Sequence, residues 1–333
     1  MVLERVLTGL AAVPFLLAAA AAPAGADAQV VLRFTDPEIV ESSGLAVVDG
    51  LFVTVNDSGD TGRVFAVDPA TGDTVGVTRW AEDPVDVEAV APAGDGSVWV
   101  GDIGDNPGSR DSVTVARVPV GRGDRSVAGS AGPATYTLVH PEGPQDAESL
   151  LVDPRTGGLV VVSKTIFGAE VLEAPVRLDP DRPNELVAVG GALPVATDGA
   201  FFPDGRHLVL RDYARAVVYT WPGLEQVGEV RLPEQQQGEG IAVDERGRVF
   251  VSSEGVEAPV LRVPLPAAVR DAVEPEEPEE PSPGPATAPD GSGGLGVDLT
   301  EVEEADRPEW PWFLGGFVAL GVLLALVRSL RPR

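Results

Sequence analysis

The stretch VLRFTDPEIVESSGLAV, Val31–Val47, has a near-copy late in the chain, EVRLPEQQQGEGIAV at Glu229–Val243. Both run from a short apolar segment through a Pro-bearing loop to an acid, a small residue and a second apolar segment. The later copy joins two successive units of a repeat, as outer strand, loop and inner strand. The earlier copy has no complete unit before it. Its first segment, Val30–Phe34, is therefore expected to complete the last unit from the other end of the chain, which closes a ring.

Five units align. They begin SSGLAVVDGLFVTVNDSG at Ser42, DVEAVAPAGDGSVWVGDIG at Asp86, DAESLLVDPRTGGLVVVSK at Asp146, ATDGAFFPDGRHLVLRDY at Ala196 and QGEGIAVDERGRVFVSSEG at Gln237. Each has a Val-rich run, a D-G, T-G or R-G type turn and a second apolar run. Third runs follow (RVFAVD, SVTVARV, AEVLEAP, AVVYTW, PVLRVPL), and fourth runs in the first four units (TVGVTRW, ATYTLVH, ELVAVGG, EQVGEVRL). Short β-branched runs between turn residues predict strands. Four strands per unit, repeating at about 40–60 residues, predict an all-β domain, a β-propeller over residues 29–270. Five blades closed by the N-terminal strand are expected. Six stay open, because residues 120–135 leave room for irregular strands.

The ends read differently. Residues 1–28 have Arg5, an apolar Leu10–Ala22 core and two A-x-A sites, the pattern of a signal peptide. Residues 271–309 are an acidic Pro/Glu-rich stalk, too poor in apolar periodicity to form a core. Residues 310–328 form an apolar run opened by Trp310 and Trp312, long enough for a transmembrane helix. Residues 329–333 are a short basic cytoplasmic tail. The expectation is a single-pass cell-membrane protein whose propeller is displayed outside, with an extracellular small molecule or protein as ligand. Oligomeric state is not legible.

A net charge of −28 over 333 residues excludes nucleic acid as a natural partner and favours cations. There is no Cys, so neither disulfides nor thiolate metal sites occur. Phosphate-loop and nucleophile-elbow motifs are absent, and no organic cofactor is expected. His207 falls in a turn; His140 ends a fourth strand without a Ser or Cys partner.

Blade connectivity puts the unit-starting loops and the loops between second and third strands on one face. The first set carries Glu41, Asp86 with Glu88, Asp146 with Glu148, Asp198 and Glu239. The second carries Asn56, Asp57 and Asp60; Asp102, Asp105 and Asn106; Lys164; Arg211 and Asp212; and Glu254. Crowded carboxylates repel unless protonated or neutralised. A hard cation relieves this, and Ca²⁺ suits irregular oxygen-rich loops. The expected metal set is Asp57, Glu88, Asp102, Asp105 and Glu148. Taken singly, each acid also reads as a turn cap. The D-x-G-D sequence occurs twice, at Asp57–Asp60 and Asp102–Asp105, so the densest negative charge is expected over the first two blades.

The motifs ESSGLA, NDSG and VGDIGDN resemble a group of exported bacterial β-propellers. The E-G-I-A-x-D unit is more distantly similar to SdiA-regulated, NHL-like and gluconolactonase-like propellers. The last resemblance implies a metal site of Glu, Asn and Asp, for which Glu41, Asn56, Asp102, Glu148, Asp198 and Glu239 are suitable types. The expected function is a ligand- or protein-binding module. The alternative is a metal-dependent hydrolase (lactonase, esterase or phosphatase-like).

Overall fold

A computed structural model describes residues 28–57, 59–81, 83–127 and 133–274. The expected membrane helix, basic tail, nearly all of the signal peptide and most of the stalk lie outside the described residues. Among those described, no helix is long and apolar enough to cross a membrane.

Twenty-two strands form five sheets. Blade 1 is β2 (Ser42–Val48), β3 (Leu51–Asn56), β4 (Arg63–Val67) and β5 (Thr74–Trp80). Blade 2 is β6 (Val87–Pro92), β7 (Ser97–Asp102), β8 (Val113–Pro119) and β10 (Ala134–Val139). Blade 3 is β11 (Ala147–Val152), β12 (Leu159–Ser163), β13 (Ala169–Glu173) and β15 (Val187–Ala192). Blade 4 is β16 (Asp198–Phe201), β17 (His207–Arg211), β18 (Arg215–Thr220) and β19 (Gln226–Arg231). Blade 5 is β20 (Ile241–Val243), β21 (Val249–Val251), β22 (Pro259–Val263) and the N-terminal β1 (Gln29–Arg33). β1 runs antiparallel to β22, with Val30 opposite Leu261 and Leu32 opposite Val260. The expected closure is therefore what the chain does.

The inner strands touch in cyclic order, β2 to β6, β11, β16, β20 and back to β2. Both faces of each blade are buried against neighbours, which is why strands such as LFVTVN and LVVVS read as continuous apolar runs. The core falls into five clusters, one per interface between blades. Between blades 5 and 1, for example, Phe34, Phe65 and Val260 are fully buried together.

The described residues of 120–135 hold no sixth blade. They place a three-residue β9 (Arg125–Val127) parallel to β5 on the outer edge of blade 1. β14 (Asn184–Glu185) caps blade 2 in the same way, parallel to β10. Both occupy outer sheet edges that would otherwise expose unpaired backbone groups. The chain also stays folded past residue 271. Helix α1 (Ala267–Val273) buries Val269 and Val273 in the blade 4–5 cluster. Gly228 of β19 makes room for it, because a Cβ there would lie 2.5 Å from Val269 Cγ2.

Candidate functional site: the channel mouth

Each inner strand begins at the same end of the central channel, and irregular pairing there sets where the acids point. In blade 2, Val87 faces Asp102 and Ala89 faces Gly101, so Glu88 is the extra residue of a β-bulge. In blade 3, Ala147 faces Ser163 and Ser149 faces Val162, leaving Glu148. A bulge bends its strand and re-aims the extra side chain. The corresponding residues are Ser43, Asp198 and Glu239 in blades 1, 4 and 5, and all five are buried. The chain thus sets one residue per blade around the mouth, four of them acids.

These acids differ in their partners. Asp198 lies fully buried beneath the mouth. Its Oδ2 accepts the N–H groups of Ile241 at 2.8 Å and Leu45 at 3.2 Å, and its Oδ1 accepts Gly199 N–H at 2.8 Å. One carboxyl thus joins blades 4, 5 and 1. Burial pushes its pKa well above the usual range, against the pull of those donors. Arg211, also fully buried, donates from Nη1 to Gly240 O at 3.1 Å and Ser252 O at 3.2 Å. Burial lowers the Arg211 pKa to about 10, with Glu239 and Asp198 opposing.

On the side of blades 3 to 5, Lys164 and Arg211 oppose the acids in part, and burial still raises the Glu148 pKa to about 8. Lys164 Nζ pairs with Glu148 Oε1 and lies 5.5 Å from the Tyr213 ring centroid. Burial alone would lower the Lys164 pKa, but Glu148, Tyr213 and Glu239 hold it above its usual value, so the ammonium stays charged. Burial raises the pKa of Glu239, while Lys164 and Arg211 draw it back.

On the side of blades 1 and 2 three carboxyls crowd together. Asp57, Asp86 and Glu88 each offer an oxygen, all within 4.8 Å of one another. Burial pushes the Glu88 pKa up to about 10, with Glu148, Asp57 and Asp86 adding to the rise. Ser43 Oγ sits 3.3 Å from Glu88 Oε2, and the charge of Lys164 draws the pKa back. Burial also raises Asp86, followed by the charge of Asp57. Glu254, on the blade 5 loop, is pushed up to about 7 by burial and then by Glu239, Asp57 and Glu41.

The structure sorts the remaining sequence candidates. Asn56 is a turn cap: its Oδ1 accepts Val40 and Glu41 N–H at 3.1 and 3.2 Å. Asp102 repeats this in blade 2, accepting Val85 and Asp86 N–H at 3.0 and 2.9 Å, and pairs with Arg110 at 2.9 Å. Asp105 accepts Ser109 and Arg110 N–H, both at 2.9 Å. Asp212 caps Ala214 and Arg215 N–H, both at 2.8 Å. Glu41 and Asn106 are exposed on the loops. The expected five-residue metal set is therefore not brought together. Asp57 and Glu88 converge, Glu148 is paired with Lys164, Asp102 and Asp105 hold turns, and Asp86 joins the cluster. Tyr213, which no sequence motif marked, links Lys164 to Glu239. Of the histidines, His207 Nδ1 contacts Asp204 in its turn at 2.6 Å. His140 is buried, and burial lowers its pKa.

The two D-x-G-D glycines serve different ends. Gly59 adopts φ +87° with open space around it, ordinary turn chemistry. Gly104 has no such φ, and a Cβ on it would lie 2.4 Å from Asp86 Oδ2 and 2.8 Å from Glu88 Oε1. Its bare backbone lets both carboxyls approach. Gly104→Ala should therefore push Asp86 and Glu88 aside while leaving the fold intact. Any affinity of the mouth for Ca²⁺, read by calorimetric titration, should fall at least about tenfold, with the melting temperature nearly unchanged. Wild-type affinity in this variant would mean that the glycine plays no part in the mouth.

No family model matches the chain, and no curated protein is similar to it in sequence. Among solved structures it is similar to the glutaminyl cyclase of Myxococcus xanthus, at 13% identity and a TM-score of 0.47, over 72% of this chain and 97% of that one. It is also similar to a chain of a nidogen/laminin complex, at 15% identity and a TM-score of 0.40, over 66% and 74% of the two chains. The five-bladed ring rests on its own strand pairing and needs neither.

Proposed function

We propose that this protein is a binding module whose channel mouth holds a cation between Asp57, Asp86 and Glu88, with Ca²⁺ the best chemical match. The supporting observation is the convergence of three carboxylate oxygens within 4.8 Å of one another, where burial and the neighbouring acids push the Glu88 pKa up to about 10. Such a group must hold protons or a cation. Hard cations with six to eight oxygen ligands suit irregular loops. The wider reading places the propeller outside the cell, carried on the acidic stalk of residues 275–309 and anchored by residues 310–328, with the mouth open to extracellular ligands.

The hydrolase reading has less support. The Glu, Asn and Asp set implied by the gluconolactonase-like resemblance needs Asn56 and Asp102 at the mouth, and both are committed to capping their own loops.

Proton linkage makes the proposal testable. With its pKa near 10, Glu88 carries a proton at neutral pH, which an incoming cation must displace. Binding should therefore release a proton and strengthen by up to about tenfold per pH unit between pH 6 and 8. Calorimetry in buffers of different ionisation enthalpy reads that release. Glu88→Gln should abolish it and weaken binding at least about tenfold. Without cation, the folded chain keeps a Glu88 proton that the unfolded chain gives up above its ordinary value of 4.5. Stability from this group is present below that value and declines as pH rises towards 10. Glu88→Gln should flatten that decline. A Ca²⁺ isotherm unaltered by the substitution would refute the site.

A further inference from the structure

Six of the ten large apolar residues that stand exposed among the described residues lie on the loops of the mouth face. They are Val40, Val85, Ile166, Phe167, Tyr213 and Val256, and every blade contributes. Phe167 is 95% exposed and Ile166 73%. Five of them fall into two groups. Ile166 and Phe167 follow Lys164 on the blade 3 loop, and Lys164 meets the Tyr213 ring of blade 4. On the other side, Gly255 N–H bonds Val40 O at 2.9 Å, which brings the loops of Val40 and Val256 together between blades 5 and 1. Two apolar groups thus stand on the loops of the face that carries the mouth acids.

An inorganic cation needs no apolar groups. Exposed Phe and Ile on loop tips add nothing to the core, and apolar clusters ringed by polar groups mark interaction surfaces. The charge decides what kind of partner fits. A surface of anionic lipid is repelled by this face and by the net charge of −28. A basic peptide segment is attracted by both. A guanidinium offers planar paired donors to carboxylates, and its aliphatic stem, like that of lysine, packs on apolar and aromatic side chains.

We infer that the mouth face docks a basic segment of a partner protein, seating one Arg or Lys side chain among Asp57, Asp86 and Glu88 while flanking apolar residues rest on Ile166, Phe167 and Tyr213. The inference rests on the reading of the mouth as a cation-binding site, and it replaces the free ion with a cationic side chain.

The test uses the purified full chain, immobilised, and two pools of end-capped hexapeptides. One pool has Arg or Lys at a central position with aromatic or aliphatic neighbours. The other carries citrulline or acetyl-lysine in its place. The charged pool should be retained at least about tenfold over the neutral pool, and CaCl₂ should displace it. The double variant Ile166→Ser, Phe167→Ser should lose about tenfold in peptide retention, with wild-type melting and a wild-type calcium isotherm, because neither side chain belongs to the core. Equal retention of the two pools overturns the inference, as does full retention by the double variant. Calcium binding without peptide binding sinks this inference and leaves the ion site standing. Peptide binding without calcium binding does the reverse.

Discussion

Asp198→Ala should be among the most damaging single substitutions in the ring, with unfolding free energy reduced by about 3–5 kcal/mol. The carboxyl accepts from Ile241, Leu45 and Gly199 N–H, donors on blades 5, 1 and 4. Removing it leaves three buried N–H groups unpaired, each costing about 1–3 kcal/mol. It also deprives Arg211 of a neighbouring negative charge. Relief of the carboxyl's own burial offsets part of this, which is why the expected total lies below the sum of the upper limits. Asp198→Asn should fall between, since one oxygen remains but an amide must face a donor. Urea denaturation reads the series, with Asp102→Ala as comparison. Asp102 caps only its own blade, with Val85 and Asp86 N–H as partners, and its loss should cost about 1–2 kcal/mol. If Asp198→Ala unfolds within about 1 kcal/mol of wild type, the carboxyl does not join the blades.

The same contrast shows how far the sequence could be read. Nineteen strands were legible because each blade repeats Val-rich runs between turn residues, and the closing strand because its flanks copy a join seen later in the chain. β9 and β14 were not, since a three-residue and a two-residue edge strand carry no periodicity. Helix α1 was missed because its seven residues abut a Pro/Glu-rich tail and its apolar side is only Val269 and Val273.

At the mouth, the repeat led to the expectation that the acids share one face. It could not say which of them face the channel, because Asp and Asn suit both a turn cap and a ligand position. Asp57 and Asp60 show the difficulty. Asp57 reaches Asp86 and Glu88, whereas Asp60 takes Arg63 Nε at 2.8 Å and Asn56 Nδ2 at 2.8 Å. The deciding feature for Glu88 and Glu148 is a β-bulge, which depends on pairing across the sheet and leaves no mark in a single strand's sequence. Asp57, Asp86 and Glu88, which converge, belong to blades 1 and 2. Of the four D-x-G-D acids, only Asp57 takes part.

Deletion of residues 28–34 should abolish folding. β1 is the outer strand of blade 5, yet its side chains are not peripheral. Leu32 is 6% exposed and Phe34 fully buried, both in the cluster that joins blade 5 to blade 1. Burying two such side chains contributes about 3–6 kcal/mol, comparable with the whole stability of an ordinary domain at about 5–15 kcal/mol. Deletion also strips β22 of its partner along Pro259–Arg262 and removes the bond from Phe34 N–H to Ala258 O. The ring then loses its only covalent link across the blade 5–1 seam, and β22 becomes an open edge prone to pairing with other chains. Size-exclusion chromatography should show aggregate, and circular dichroism no cooperative melt. A synthetic peptide of residues 28–38 added during refolding should restore the melt by strand addition. The same peptide with Phe34→Ala should restore it poorly. Deletion of β9 residues 125–127 provides the contrast, since Arg125 and Ser126 are exposed on an outer edge and no cluster depends on them. That chain should fold and melt close to wild type. If deleting 28–34 were equally harmless, β1 would be decoration like β9, and the ring would have to close through the inner strands alone.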